Sequence, residues 1–197
     1  IIILNWNGTD DTIECIESLM NQTNTNFEIY LIDNYSEPEQ LKKLEQYILD
    51  KERINFSKNN KNLGFVGAHN IILKNFVETG KYEYVFLLNN DTTVNENFVE
   101  AIHESIKKYP NAGMVSSKMI NYDNRDTINN LGHKMINTGE ILPIANNRQE
   151  KKYNKPFKNV GASGGGALYS IKMLQDIGIF DSYFKTGYED AELGIRA

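Results

Sequence analysis

The 197-residue chain has little cysteine. Its one copy, Cys15, can form no internal disulfide and lacks the partners of a cysteine zinc site. Ile13, Ile16 and Leu19 flank it at helical spacing, which places Cys15 on a buried helix face as a small hydrophobe, in keeping with a reducing compartment. No apolar run approaches the ~20 residues that a membrane-spanning helix needs, and no signal-peptide pattern occurs. Positive charge is also scarce: 21 Lys and Arg stand against 26 Asp and Glu, for a net charge of -5. That balance argues against a general nucleic-acid binder. It leaves room for an anionic substrate, because a bound metal reverses the local charge of a site. There is no Gly-Lys-Ser/Thr phosphate loop, no clean dinucleotide fingerprint and no internal repeat. The chain opens on Ile1-Ile2-Ile3-Leu4 without an initiator Met and stops at Ala197 inside an expected helix, so both ends read as cut.

What is present is an alternation of short apolar runs with helix-period segments. Ile1 to Leu4 reads as a strand, and Asp11 to Met20 as a helix with Asp10 as its N-cap. Phe27 to Ile32 reads as a strand. Ser36 and Glu39 have capping-box spacing ahead of a helix through Leu41, Leu44 and Ile48. Strands are expected at Ile54 to Phe56, Tyr84 to Leu88 and Gly113 to Ser117; helices at Phe65 to Val77 and from Phe98 through Ile106, the latter ended by Pro110. This order implies right-handed crossovers and a mainly parallel sheet, with ligands beyond the carboxyl ends of the strands. Asn5-Trp6-Asn7, Asp33-Asn34 and Asn89-Asn90-Asp91 all fall at such ends, so three polar clusters should converge on one crevice. Residues 120–158 are rich in Asn and Lys, with a hairpin expected around Asn137-Thr138-Gly139-Glu140; otherwise this stretch reads as compositional bias with little functional content.

Each cluster has a chemical and a structural reading. Asp91 at a strand tip is a hard-oxygen ligand for Mn²⁺ or Mg²⁺, with Asn89 or Asn90 adding an amide oxygen, or the three form a turn or N-cap. Trp6 is a lid on a base or, as aromatics more commonly are, a core residue. Asp33 meets a ribose hydroxyl or base N–H, or makes an Asx turn. Asn62-Leu63-Gly64 through Asn70 is a glycine-containing helix start that can bring backbone N–H groups to an anion; a lone His such as His69 reads as packed or at the surface. Gly161 to Tyr169, with Gly164, Gly165 and Gly166, lets the backbone run close to a ligand or forms a flexible loop. Glu189-Asp190 at a helix start is a general base or complements the helix dipole.

Taken together, the motifs resemble glycosyltransferase family 2, the inverting enzymes with the GT-A fold, over Ile1 to Arg196. Ile3-Leu4-Asn5-Trp6-Asn7-Gly8 is similar to the family's first nucleotide-binding strand, and Leu31 to Ser36 to its second, whose Asp contacts the nucleoside. Asn62-Leu63-Gly64-Phe65 through Asn70 resembles the helix start beside the base. Leu87 to Thr92 occupies the DXD position, here Asn-Asn-Asp, a variant similar to the rhamnosyltransferase-like branch. Gly178-Ile179-Phe180-Asp181 and Glu189-Asp190 resemble the acceptor-side motifs, and Arg196 the basic residue that follows.

The resemblance implies an α/β, Rossmann-like three-layer sandwich with a mainly parallel mixed sheet. It implies a single domain truncated at its C-terminus, with a nucleotide-sugar half at 1–118 and an acceptor-side half at 119–197. It further implies a Mn²⁺ or Mg²⁺ at Asp91, a UDP-, dTDP- or GDP-linked sugar, and Asp190 as the base with Glu189 sharing or supporting that role. The acceptor is expected to be a glycan or a lipid-linked one, with no nucleic acid as partner. The location is expected to be cytoplasmic, or at the inner face of the membrane through regions outside this chain. The metal-coordinating His that such enzymes often place downstream is expected beyond Ala197. Two rivals remain. A nucleotidyltransferase would carry a basic, glycine-rich loop after the first strand, and Asn5 to Asp10 has no basic residue. A binding module without turnover would not need the Glu189-Asp190 pair.

Overall fold

The computed structural model describes residues 1–197. In chain order, β1 (Ile2–Asn5), α1 (Thr9–Met20), β2 (Ile29–Asp33), α2 (Pro38–Ile48), β3 (Ile54–Lys58), α3 (Gly64–Thr79), β4 (Tyr84–Asn89) and α4 (Phe98–Lys108) alternate as the apolar pattern requires. Short strands follow: β5 (Met114–Ser116), β6 (Met119–Ile120), β7 (Ile128–Asn130), β8 (His133–Met135) and β9 (Ile141–Pro143). The chain then returns through β10 (Gly166–Ser170) to α5 (Ile171–Ile177) and α6 (Glu189–Arg196).

The central sheet has the order β3-β2-β1-β4-β10-β5. The first four strands are parallel; β10 runs antiparallel to both β4 and β5. Both faces of this sheet are covered, so its strands must be apolar on both sides. β4 shows it: Val85 and Leu87 enter one core, Phe86 and Leu88 the other. The first core takes Val66, Leu73 and Phe76 of α3, Ile171 and Leu174 of α5, and Leu193 of α6. The second takes Cys15, Ile16 and Leu19 of α1 and Leu44 of α2, with Phe98, Ile102 and Ile106 of α4 at its margin. The result is three layers, helix on sheet on helix. No helix is long and apolar enough to cross a membrane.

Several local expectations change. Asp10 is not the N-cap of α1: the helix starts at Thr9 after Gly8, and Asp10 and Asp11 lie in its first turn, where acids complement the dipole. The Ser36–Glu39 capping box does not form. α2 starts with Pro38, which has no N–H to satisfy at that position, and the Ser36 hydroxyl donates to Asp33 Oδ1 instead (2.6 Å). The glycine-rich stretch is neither a floppy loop nor wholly a ligand loop, because its second half is the buried strand β10. The hairpin forms as expected, with Met135 opposite Ile141 and Gly139 at φ +85° in its turn.

Candidate functional site at the carboxyl edge of the sheet

Register places Asn5 beside Asp33 and Leu4 beside Asn89, so the three polar clusters do meet at one edge. Three of their residues, Asn5, Asp33 and Asn34, are buried. Asn5 is fully buried; its Nδ2 donates to Asp33 Oδ1 (2.8 Å) and Ser36 Oγ (3.2 Å), and its Oδ1 accepts from Thr12 Oγ1 (2.9 Å). Asp33 is also buried, and its Oδ2 accepts from the Ser36 N–H (3.0 Å), three residues on and so one beyond the reach of an Asx turn. Asn7, at φ +56°, donates its N–H to Ser36 Oγ (2.9 Å) and accepts from the Glu37 N–H (2.7 Å). These bonds satisfy buried polar atoms and fix the two turns. What they display is aromatic: Trp6 is 58% and Tyr35 60% exposed, one on each turn. A core position for Trp6 is therefore excluded. Tyr35 went unread in the sequence because an aromatic between polar residues carries no periodic signal; its φ of +70° marks it, since bulky residues rarely adopt that conformation.

The start of α3 is not an anion cradle. Asn62 Oδ1 accepts from the Gly64 N–H (2.8 Å) and from Asn34 Nδ2 (2.9 Å). The next two helix N–H groups, of Phe65 and Val66, point to Thr186 Oγ1 (3.5 Å) and Lys185 O (3.2 Å). Gly64 is at φ +69°, and a Cβ there would lie 2.8 Å from Lys185 O. The glycine thus serves the close approach of the loop before α6. Asn70 lies between α3 and the Phe180 turn, donating to Phe180 O (2.9 Å), while its own Oδ1 is buried without a partner. His69 is packed, as read: its Nδ1–H donates to Phe65 O (2.8 Å), and burial pushes its pKa down to about 4, so the ring is neutral.

At the tip of β4, Asn89 packs against Gly165, where a Cβ would sit 3.0 Å from its Nδ2. Asn90 Nδ2 donates to Thr12 Oγ1 (3.0 Å). Of the three residues only Asp91 is exposed. No group of three His, Cys, Asp or Glu side chains is gathered here or elsewhere, so any metal would take most of its ligands from a bound molecule and water.

Across the edge stands α6. Tyr188 precedes it at φ +69° and is exposed. Glu189 is 6% exposed with Oε2 unpartnered, and burial, reinforced by Asp190, raises its pKa. Asp190 Oδ2 accepts from the Gly164 N–H (2.8 Å), and the next residue, Gly165, offers its carbonyl to the Asn89 N–H (3.0 Å). Gly164-Gly165 therefore couples the carboxylate of α6 to the tip of β4; Gly166 begins β10. His133 Nε2 lies 3.7 Å from Asp190 Oδ2. A lone His in an Asn- and Lys-rich stretch has no spacing to betray such a contact. α6 is seated through Gly194, where a Cβ would fall 2.7 Å from both Gly161 Cα and Val160 O. Arg196 ends the helix by donating to Ile177 O (2.5 Å), Ile179 O (2.8 Å) and Glu192, which fastens the Gly178 turn.

Comparison with known proteins accords with this arrangement. The model of glycosyl transferase family 2 matches residues 1–178. The glycosyltransferase GlyG of Streptococcus pneumoniae serotype 4 (strain ATCC BAA-334 / TIGR4) is 24% identical over 126 residues, 64% of this chain and 40% of GlyG. S. aureus TarS 1-349, solved in complex with UDP-GlcNAc, superposes with a TM-score of 0.68 at 20% identity over 100% of this chain and 52% of that one. The mannosyltransferase PcManGT from Pyrobaculum calidifontis, in complex with GDP-Man and Mn²⁺, gives 0.65 at 13% identity over 98% and 49%. The chain thus spans about half the length of these relatives or less. It has the GT-A fold and belongs to glycosyl transferase family 2.

Proposed function

We propose that this chain carries the donor site and the base of a glycosyltransferase that moves a sugar from a UDP-, dTDP- or GDP-linked donor to an acceptor hydroxyl with inversion. One observation carries the reading. Two consecutive residues, Gly164 and Gly165, bond to Asp190 and to the strand end that presents Asp91, which sets a candidate base and a candidate phosphate-side carboxylate on one frame. Residues 1–118 supply the donor face and 119–197 the acceptor face. Trp6 and Tyr35 offer exposed rings to a nucleobase, while Asn5, Asn7 and Asp33 shape the turns that hold them. Asn62, Gly64 and Asn70 support the site from behind.

A divalent ion fits the donor set at the tip of β4. Mn²⁺ and Mg²⁺ bind through one or two carboxylates together with substrate phosphates, and Asp91 is a lone exposed carboxylate beside Asn89 and Asn90. The ion, when bound, neutralises charge on the leaving diphosphate. The remaining work belongs to the chain. Asp190, 15% exposed at its side chain, takes the proton of the acceptor hydroxyl. That oxygen bonds to the anomeric carbon as the bond to the diphosphate breaks on the opposite side, and the electron pair leaves with the diphosphate. The geometry favours Asp190 over Glu189 for this task, because Glu189 Oε2 is shut away from solvent. Glu189 instead backs its neighbour from the interior. Arg196 holds the turn on which the acceptor-side loop rests.

The Asn-Asn-Asp sequence supports a rhamnosyltransferase-like subtype. A role in cell-surface polysaccharide or lipid-linked glycan synthesis, at the cytoplasmic face of a membrane, rests on family analogy. The test is nucleoside diphosphate release from a panel of UDP-, dTDP- and GDP-sugars by the full-length protein. Asp190→Asn and Asp91→Ala should each lose nearly all turnover. Wild-type rates in both variants would refute the assignment, and donor binding without release would identify a module that does not turn over.

A further inference from the structure

We infer that His133 is a positioning residue for Asp190, fixing the orientation of its carboxylate. The inference rests on the reading of Asp190 as the base. His133 is the first residue of β8, far from α6 in sequence, yet its ring is directed at one oxygen of that carboxylate. Nε2 is 3.7 Å from Asp190 Oδ2, and the two side chains are only 11% and 15% exposed. At 3.7 Å the approach is longer than a hydrogen bond; catalytic contacts in ligand-free sites commonly tighten when substrate binds.

The backbone leaves His133 little freedom. Its N–H donates to Gly161 O (2.7 Å), and its carbonyl accepts from the Val160 N–H (2.9 Å). Gly132 before it is at φ +98°, where a Cβ would lie 2.7 Å from Gly161 O. Gly161 in turn is the surface on which α6 sits through Gly194. Two paired segments, at residues 132–133 and 160–161, therefore carry the imidazole and the seat of the helix that bears Asp190.

The ring's other nitrogen indicates the tautomer. Nδ1 is buried and has no partner. A buried N–H without an acceptor is costly, so the proton belongs on Nε2, facing the carboxylate. Asp190 Oδ2 accepts from the Gly164 N–H (2.8 Å) with His133 Nε2–H facing it at 3.7 Å, while Oδ1 accepts from the Ala191 N–H (2.7 Å). In this reading His133 turns a donor toward the carboxylate, and the proton taken from the acceptor goes to Asp190. The other titratable groups near the pair are Glu189 and Tyr169, both buried.

The chain has three histidines, which makes the ring nitrogens tractable by ¹⁵N NMR. The expected result is a protonated Nε2 and a bare Nδ1 for His133, with its Nε2 resonance moving in Asp190→Asn while those of His69 and His103 stay in place. A proton on Nδ1, or ring signals indifferent to Asp190→Asn, would overturn the inference. With whichever donor of the UDP-, dTDP- and GDP-sugar panel the wild type turns over, His133→Ala should lower kcat on the order of ten- to a hundredfold and leave donor KM within twofold. His133→Gln, which can still present an N–H near the Nε2 position, should recover most of the loss. Unchanged kcat in His133→Ala while Asp190→Asn is inactive would refute the role of His133 alone. Full activity in Asp190→Asn would instead refute the reading of the base.

Discussion

The seating of α6 gives a prediction whose size can be worked from distances. Replacing Gly194 with Ala puts a methyl group 2.7 Å from two backbone atoms, Gly161 Cα and Val160 O, neither of which can rotate away. Ordinary contact begins near 3.4 Å, so the helix and the Val160–Gly161 segment must part by about 0.7 Å. Overpacking of this kind costs about 1–3 kcal/mol, and Ala returns up to about 1 kcal/mol of helix propensity. The net expectation is a destabilisation of about 1–2 kcal/mol, readable as a lower Tm. The larger effect should be on rate. α6 bears Glu189 and Asp190 on its first turn, and the 2.8 Å bond from Gly164 to Asp190 spans the gap that opens. A displacement near 1 Å at a reacting group costs on the order of a hundredfold. The assay is kcat and KM for the donor in Gly194→Ala, with nucleotide affinity measured separately by calorimetry. kcat should fall and donor affinity should hold, since the turns after β1 and β2 are untouched. Wild-type kcat and Tm would show that α6 does not rest on this contact.

Gly64→Ala should also destabilise, by about 1–2 kcal/mol for the positive φ alone, with an added clash at Lys185 O. Its mark should be faster proteolysis of the segment around residues 183–187, and unchanged proteolysis there would refute the packing described. Glu189 gives a pH effect of known sign. Its carboxyl is raised above the usual value by burial, so the folded state holds this proton more firmly than the unfolded chain does. Its contribution is fully present below the unfolded Glu value, about 4.3, and is lost as pH rises through the higher folded value. Glu189→Gln should therefore flatten the fall in Tm with pH above that point; an unaltered profile would count against a buried, proton-holding Glu189.

The sheet was legible in the sequence because β1, β2 and β4 are covered on both faces and read as unbroken apolar runs ending in polar residues. That pattern also located the edge where Asn5, Asp33 and Asn89 meet. It could not say which way those side chains face. Asn5 and Asp33 turned out to bond to one another through a network with Ser36, a pairing set by strand register across 28 residues. β10 was hidden because Gly164-Gly165-Gly166 masks its start, and its place between β4 and β5 is a matter of topology. The same holds for the cap on α3, which comes from Lys185 and Thr186, and for His133, which reaches Asp190 only because residues 133 and 161 pair. Arg196 was read from motif order alone, and its carbonyl partners at Ile177 and Ile179 depend on how α6 packs.

The proposed function requires a donor site at the tip of β4 that acts together with a divalent ion. Calorimetric titration of UDP, dTDP and GDP into the protein, with and without Mn²⁺, tests it most directly. One nucleotide should bind in a Mn²⁺-dependent manner, and Asp91→Ala should lower that affinity about tenfold or more while leaving any metal-free binding unchanged. Binding that is indifferent to Mn²⁺ and to Asp91→Ala, or no binding of any of the three, would contradict it.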